Sequence, residues 1–239
     1  MMAVSVHRAG PEDVAFIART LRRRRGALLP YAPVFWRPAE GALATHEAYL
    51  KDALEGSARA YRTAESVLVA MSGDGAQWCV DDVAIPDGTW IGGEGQQLWD
   101  AFAADCAGGR VRFVVPTYEP ARAELAERAG LTVEQSWWLR ELPDSGGGEP
   151  NLEVNVEGAE AVTAYGPPVY APPGPMLMVH RVTDPARAVE SIVTTARRLG
   201  CAGVVLVDDR RDANLPPAAT AAGLRRHCDF YEGSIRSTQ

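Results

Sequence analysis

Lysine is almost missing from this sequence: Lys51 is the single one, and the other basic residues are arginines. That bias reflects a GC-rich genome more readily than a mechanism. No apolar run is long enough to span a bilayer. The N-terminal segment, interrupted by His7, Arg8, Glu12 and Asp13, has no signal-peptide core. A soluble cytoplasmic protein without a membrane role is expected. Only four cysteines occur, Cys79, Cys106, Cys201 and Cys228, and no Cys-x-x-Cys pair is among them. Structural zinc needs closely spaced ligands, so no metal site is expected, and the scatter fits reduced thiols. Positive charge is short overall. The formal net charge of −7 argues against nucleic-acid binding and favours cationic ligands such as amines.

What is present suffices for a packed interior. A hydrophobic share of 46% over 239 residues builds one large domain or two small ones. The richest stretch is Asp81-Asp82-Val83-Ala84-Ile85-Pro86, followed by Trp90-Ile91-Gly92-Gly93-Glu94-Gly95-Gln96. It reads as an acid-led apolar strand entering a glycine-rich turn. Leu98, Phe102 and Cys106 then recur at four-residue spacing, one face of a helix. Glycines let the backbone approach an anion, and the first N–H groups of the helix point at it. A pyrophosphate fits such a turn; so does no ligand at all, since most glycine clusters are plain turns.

The flanking order sharpens the choice. A strand at Val4–Arg8 precedes a helix from Gly10-Pro11 to Leu21, and Arg110–Pro116 reads as a buried strand. A helix follows from Glu119-Pro120 to Gly130, and a strand at Glu134–Leu142 is expected to close this half. The succession over residues 3–142 resembles the GCN5-related N-acetyltransferase (GNAT) superfamily. That resemblance implies acyl-coenzyme A held in a V-shaped gap between two strands. The family loop, Gln/Arg-x-x-Gly-x-Gly/Ala, falls on Trp90-Ile91-Gly92-Gly93-Glu94-Gly95, with Trp90 in place of the leading residue. Val83, Ile85, Trp90, Gly92, Gly93, Gly95 and Gln96 are the implied cofactor contacts. The family's tyrosine, four residues before the helix-ending glycine, is replaced by Ala126.

Residues 144–159 have the composition of a linker, led by Ser145-Gly146-Gly147-Gly148. Beyond it, a strand at Pro175–Val182 and a helix from Asp184-Pro185 to Gly200 precede a strand at Ala202–Val207. A helix from Pro216-Pro217 to Gly223 and a strand at His227–Ile235 complete the series. This repeats the end of the first half. The expected fold is therefore mixed α/β, a tandem GNAT-like pseudo-repeat. The expected domains are residues 1–143, carrying the acyl-coenzyme A loop, and a shortened unit at 160–239. The second loop, Thr183-Asp184-Pro185, has no glycine, an acid that repels phosphate and a proline without an N–H.

Candidate chemistry follows from the resemblance and from residue type together. Asp82, then Asp81, could draw a proton from an ammonium group if burial raised its pKa; a salt bridge is the competing reading. Arg22 to Arg25 read as a solvated cationic helix end or as a phosphate grip. Tyr31, Phe35, Trp36 and Arg37 suit an acceptor-site wall or a loop plugged into the core. His180 is a base or a hydrogen-bonded structural histidine. Trp137 and Trp138 face opposite ways along one strand. Two function classes stand: acyl-coenzyme A-dependent N-acyl (acetyl) transfer to a small amine, and a non-catalytic GNAT-fold protein binding coenzyme A, another ligand or a partner.

Overall fold

The computed structural model describes residues 5–73, 77–156 and 158–236. Val4, the expected start of the first strand, lies outside the described residues. The chain forms two compact units. Unit 1 takes residues up to Ala27, Leu43–Val133 and the segment from Asp229 onward; unit 2 takes Leu28–Ala42 and Glu134–Cys228.

In unit 1, strand β1 (His7–Ala9) is followed by helix α1 (Val14–Leu28) and, after an excursion into unit 2, helix α2 (Ala42–Leu54). Strands β2 (Ala58–Arg62), β3 (Val67–Ser72) and β4 (Gln77–Ala84) form an antiparallel meander beside β1. Helix α3 (Glu94–Asp105) then crosses to β5 (Arg110–Pro116), which runs parallel to β4, and helix α4 (Pro120–Arg128) follows. The crossover leaves both sheet faces covered, and strand alternation divides the core accordingly. Leu68, Ala70, Val80, Val83 and Phe113 pack with Leu98, Phe102 and Leu125 of α3 and α4. Val67, Val69 and Ala84 turn the other way, onto Ile17 and Leu21 of α1 and Leu50 of α2. The helix expected to stop at Leu21 runs to Leu28, so Arg22 to Arg25 lie within its body.

Unit 2 is built from β6 (Thr132–Glu141), β7 (Glu153–Val156), β8 (Ala159–Ala164), β9 (Met176–Val182), α5 (Pro185–Arg198), β10 (Gly203–Asp208) and α6 (Leu215–Ala221). Its strand order is β6-β10-β9-β8-β7, with β9 and β10 parallel and the other pairs antiparallel. Strand β7 lies within the stretch expected to be linker. One face packs Val189, Ile192 and Leu215 against Leu177, Val179, Val204 and Leu206. The other gathers Leu139, Met176 and Val205 under Ala32, Val34, Phe35 and Trp36. Trp138 joins the first cluster and Trp137 the second, as strand alternation requires.

One expectation needs correction. The strand at Glu134–Leu142 does not close the sheet of the first half: β6 pairs antiparallel with β10, Val205 opposite Leu139. The strand beside β5 is instead β11 (Arg225–Ser234), whose residues from Asp229 belong to unit 1. Arg112 on β5 reaches Glu232 at 3.3 Å and stacks over Phe230 at 4.6 Å. Each compact unit is thus completed by the closing strand of the other sequence repeat.

Candidate active site

The site in unit 1 begins as a fault in strand pairing. Leu68 on β3 faces Val83 on β4, and Ala70 faces Val80, so Asp81 and Asp82 together stand opposite Val69 alone. This is a β-bulge, which bends the strand and re-aims its side chains. Pairing with β5 ends at the same point. It runs from Gln77–Arg110 to Val80–Phe113, while both strands continue. Beyond Val80 the parallel strands part, leaving β4 main-chain groups without a β5 partner.

The two aspartates fare differently at the bulge. Burial alone would raise the Asp82 carboxyl, but a hydrogen bond from His46 and the Arg25 charge outweigh it and hold Asp82 at about 2. Arg25 Nη2 donates to Asp82 Oδ1 at 2.9 Å, and His46 Nε2 lies 3.3 Å from Oδ2. Arg25 Nη1 is 3.1 Å from His46 Nδ1. Arg25 Nη2 also lies 3.2 Å from His46 Nε2, so the guanidinium faces both ring nitrogens. Asp82 is a fixed anion. Asp81 is raised, first by desolvation in the surrounding protein and then by the Asp82 charge. It nonetheless keeps an exposed surface, so water reaches it and moderates that shift. Cys79, two residues earlier, is pushed up to about 11 by burial and then by Asp81, and stands as a thiol. Tyr49 of α2 is half exposed, stacks on His46 at 6.3 Å and feels the Asp82 charge.

Helix α4 supplies the other wall. Glu119, just before its first residue, accepts two bonds from Arg24 of α1, at 3.2 Å and 2.6 Å. Arg122, on the first turn and fully buried, donates from Nη1 to the same carboxylate at 3.3 Å. Its Nη2 donates to the Asp81 carbonyl at 2.8 Å, and its guanidinium lies 4.8 Å above the Phe113 ring and 6.0 Å from Trp90. Burial, then the Arg24 charge, lowers Arg122 to about 10, which leaves it a cation at neutral pH. Burial would raise Glu119, but its two arginines hold it below the usual range.

The glycine loop spans residues 85–93 and opens α3, with Gly93 as its N-cap. Gly92 has φ +67°, a left-handed conformation that suits glycine. A Cβ on Gly93 would lie 2.6 Å from the Thr89 carbonyl oxygen, and one on Gly95 would lie 2.6 Å from that of Trp90. The Gly95 N–H is already bonded to Thr89 O at 2.9 Å. The N–H groups of Gly93, Glu94 and Gln96 meet no backbone acceptor among the described residues. The Glu94 carboxylate, at the positive end of the helix, is turned aside by the hydroxyls of Thr63, at 2.8 Å, and Ser66.

Unit 2 repeats the fault without the loop. Glu160 on β8 faces Arg181, and Ala161 faces Val179, so His180 is the extra residue of a second bulge. Pairing of β9 with β10 ends at Val179–Leu206. His180 is exposed there, at the position Asp81 holds in unit 1. Only Thr183 and Asp184 separate β9 from α5. Tyr31, Phe35, Trp36 and Arg37 also belong to unit 2. Tyr31 is half exposed. Phe35 and Trp36 are packed edge to face at 4.7 Å, and Glu141 Oε1 accepts from the Val34 and Phe35 N–H groups. Arg37 offers its carbonyl to the Ala171 N–H at 2.8 Å. Val83, in contrast, is fully buried in unit 1, and Trp90 nearly so. The sequence pattern does not single out His46, Tyr49, Glu119 and Arg122; the Glu119-x-x-Arg122 spacing at a helix start is the signal it carries for the last two.

No family profile and no curated protein matches the sequence. Solved structures do match in shape. A candidate acetyltransferase from Thermoplasma acidophilum superposes with a TM-score of 0.57 at 11% identity, covering 97% of this chain and 100% of its own. Another from Pyrococcus horikoshii gives 0.54 at 9%, covering 100% and 92%. A tandem GNAT protein from the clavulanic acid biosynthesis pathway gives 0.50 at 10%, covering 99% and 100%. At these identities the likeness concerns the fold. The chain has the GNAT fold in tandem, and no helix among its described residues is long and apolar enough to cross a membrane.

Proposed function

With that fold as premise, we propose that the protein is an acyl-coenzyme A-dependent N-acyltransferase, acetyl being the expected acyl group and a small amine the acceptor. One observation carries this reading. Strands β4 and β5 part at Asp81, immediately ahead of a glycine loop where three N–H groups at a helix start meet no backbone acceptor among the described residues. The freed main chain suits the amides of a pantetheine arm, and the loop suits its pyrophosphate. The acceptor would enter on the α1/α2 side, where Asp81, Tyr49 and Cys79 gather. Asp81 is the better base, because Asp82 is held ionised at about 2 and returns no useful basicity near neutrality.

In that mechanism Asp81 takes a proton from the ammonium group, and the free amine attacks the thioester carbonyl. A main-chain N–H beyond Val83 steadies the oxyanion. The C–N bond forms, the C–S bond breaks, and the thiolate leaves with a proton from water or from the acceptor. Ala126, which stands where the family has its tyrosine, is fully buried beside Leu125 and has no proton to give.

Two observations favour a second reading, a non-catalytic coenzyme A-binding or ligand-binding GNAT. These are Ala126 and the Arg122 guanidinium seated where the strands part. Thiol release from acetyl-coenzyme A, measured against a panel of primary amines and polyamines, tests the enzyme reading. Turnover above the uncatalysed rate supports it. Saturable coenzyme A binding without turnover across the panel favours the second reading.

A further inference from the structure

We propose that Arg122 is a built-in competitor for the strand wedge of unit 1, a latch that an acyl-coenzyme A arm must displace to lie along β4. The inference rests on the acyl-coenzyme A reading above. When β4 leaves β5, the Asp81 carbonyl loses the partner a continuing strand would give it. Arg122 Nη2 takes that carbonyl at 2.8 Å, while the guanidinium plane covers Phe113, the last paired residue of β5. The side chain therefore bridges the two strands at the mouth of their opening. A ligand that hydrogen-bonds the β4 main chain needs the same acceptor and the same space.

The latch is held, though not fully satisfied. Glu119 anchors Arg122 and is itself gripped by Arg24, which ties α4 to α1. The Arg122 Nε–H, however, is buried and meets no acceptor among the described residues. A buried unmet donor costs free energy in the closed arrangement. A fully buried arginine on a helix's first turn also pays desolvation that a small residue would avoid, so its presence there calls for a role. The closed wedge is thus poised to exchange one set of main-chain hydrogen bonds for another.

Calorimetric titration of the full chain with coenzyme A tests this, using the unaltered protein, Arg122→Ala and Glu119→Gln, each checked for a cooperative melt. Arg122→Ala should bind at least about tenfold more tightly than the unaltered protein, since the competitor is gone. Glu119→Gln loosens the anchor without opening a cavity and should give a smaller gain in the same direction. Should Arg122→Ala fail to fold, the nitrogen-15 resonance of the Arg122 Nε–H in the unaltered protein decides. It should exchange slowly with water and shift or vanish when coenzyme A saturates the protein. Equal or weaker binding by the folded variants, or an unmoved Arg122 resonance at saturation, overturns the latch alone. Absence of binding by every protein overturns the latch and the acyl-coenzyme A reading together.

Discussion

Asp81 and Asp82 are adjacent acids in unlike surroundings, the first raised by desolvation and the second held ionised, and single substitutions test the roles proposed for them. Asp81→Asn should lower kcat/KM for acyl transfer about 10²–10³-fold and remove the acid limb of the pH profile, with an unchanged melting temperature. Asp82→Asn should instead cost about 1–2 kcal/mol of stability, because Arg25 and the buried His46 lose their shared anion. Similar activity losses without a change in melting would show that both carboxylates act in the chemistry. His227 in unit 2 gives a second test. Burial, then Arg225, depresses it to about 4 from an ordinary value of about 6.5. The folded state holds it neutral while the unfolded chain takes up a proton. Its contribution is intact above about pH 6.5 and falls by up to about 3 kcal/mol as the pH drops to about 4. Denaturant melts at pH 7.5 and 4.5 should differ less in His227→Gln than in the unaltered protein. The carboxylate pair was legible in the sequence because acids led an apolar strand into glycines. The arginines were not, since burial decides their meaning: Arg22 and Arg23 are solvated, whereas Arg24 and Arg25 are ion-paired inside the fold.

The loop and the bulge set what unit 1 would offer the proposed coenzyme A. The loop glycines have a packing duty besides the phosphate role expected of them: Gly93 and Gly95 let the start of α3 rest on the Thr89 and Trp90 carbonyls. Gly95→Ala forces a Cβ into 2.6 Å of a backbone oxygen and should cost about 2 kcal/mol or more, with loss of any coenzyme A affinity. Gly92→Ala meets open space and should cost only the left-handed strain, about 1 kcal/mol. Guanidinium melts of the two variants check that order, and a larger loss at Gly92 would contradict it. The bulges left a trace in the sequence that strict alternation hides. Val80 and Val83 share one core face although three residues apart, and Val179 and Val182 do the same. Helix α2 and strands β2, β3, β7 and β8 carried weaker signals. Val67-Leu68-Val69-Ala70 is a short continuous apolar run, which fits a buried strand or a helix equally well.

Connectivity limits how far either sequence repeat can stand alone. The order strand, helix, strand, helix, strand was visible twice along the chain, because caps, prolines and closing glycines punctuate it locally. Which strand completes which sheet was not, because pairing between residues far apart in sequence leaves no local mark. Strand β10 is flanked by β9 and by β6, which comes from the first half of the chain. Residues 28–42, also from the first half, cover Leu139, Met176 and Val205. A fragment spanning 144–239 would therefore expose β10 as an edge and uncover an apolar face, two recognised routes to aggregation. A fragment spanning 1–143 would lack the strand beside β5, since unit 1 takes its residues from Asp229 onward. Expressed separately, neither fragment should give a cooperative thermal melt. Expressed together, they should copurify as a one-to-one complex that melts cooperatively. A monomeric 144–239 fragment with a sharp melt of its own would mean that β6 and the 28–42 segment are dispensable to unit 2.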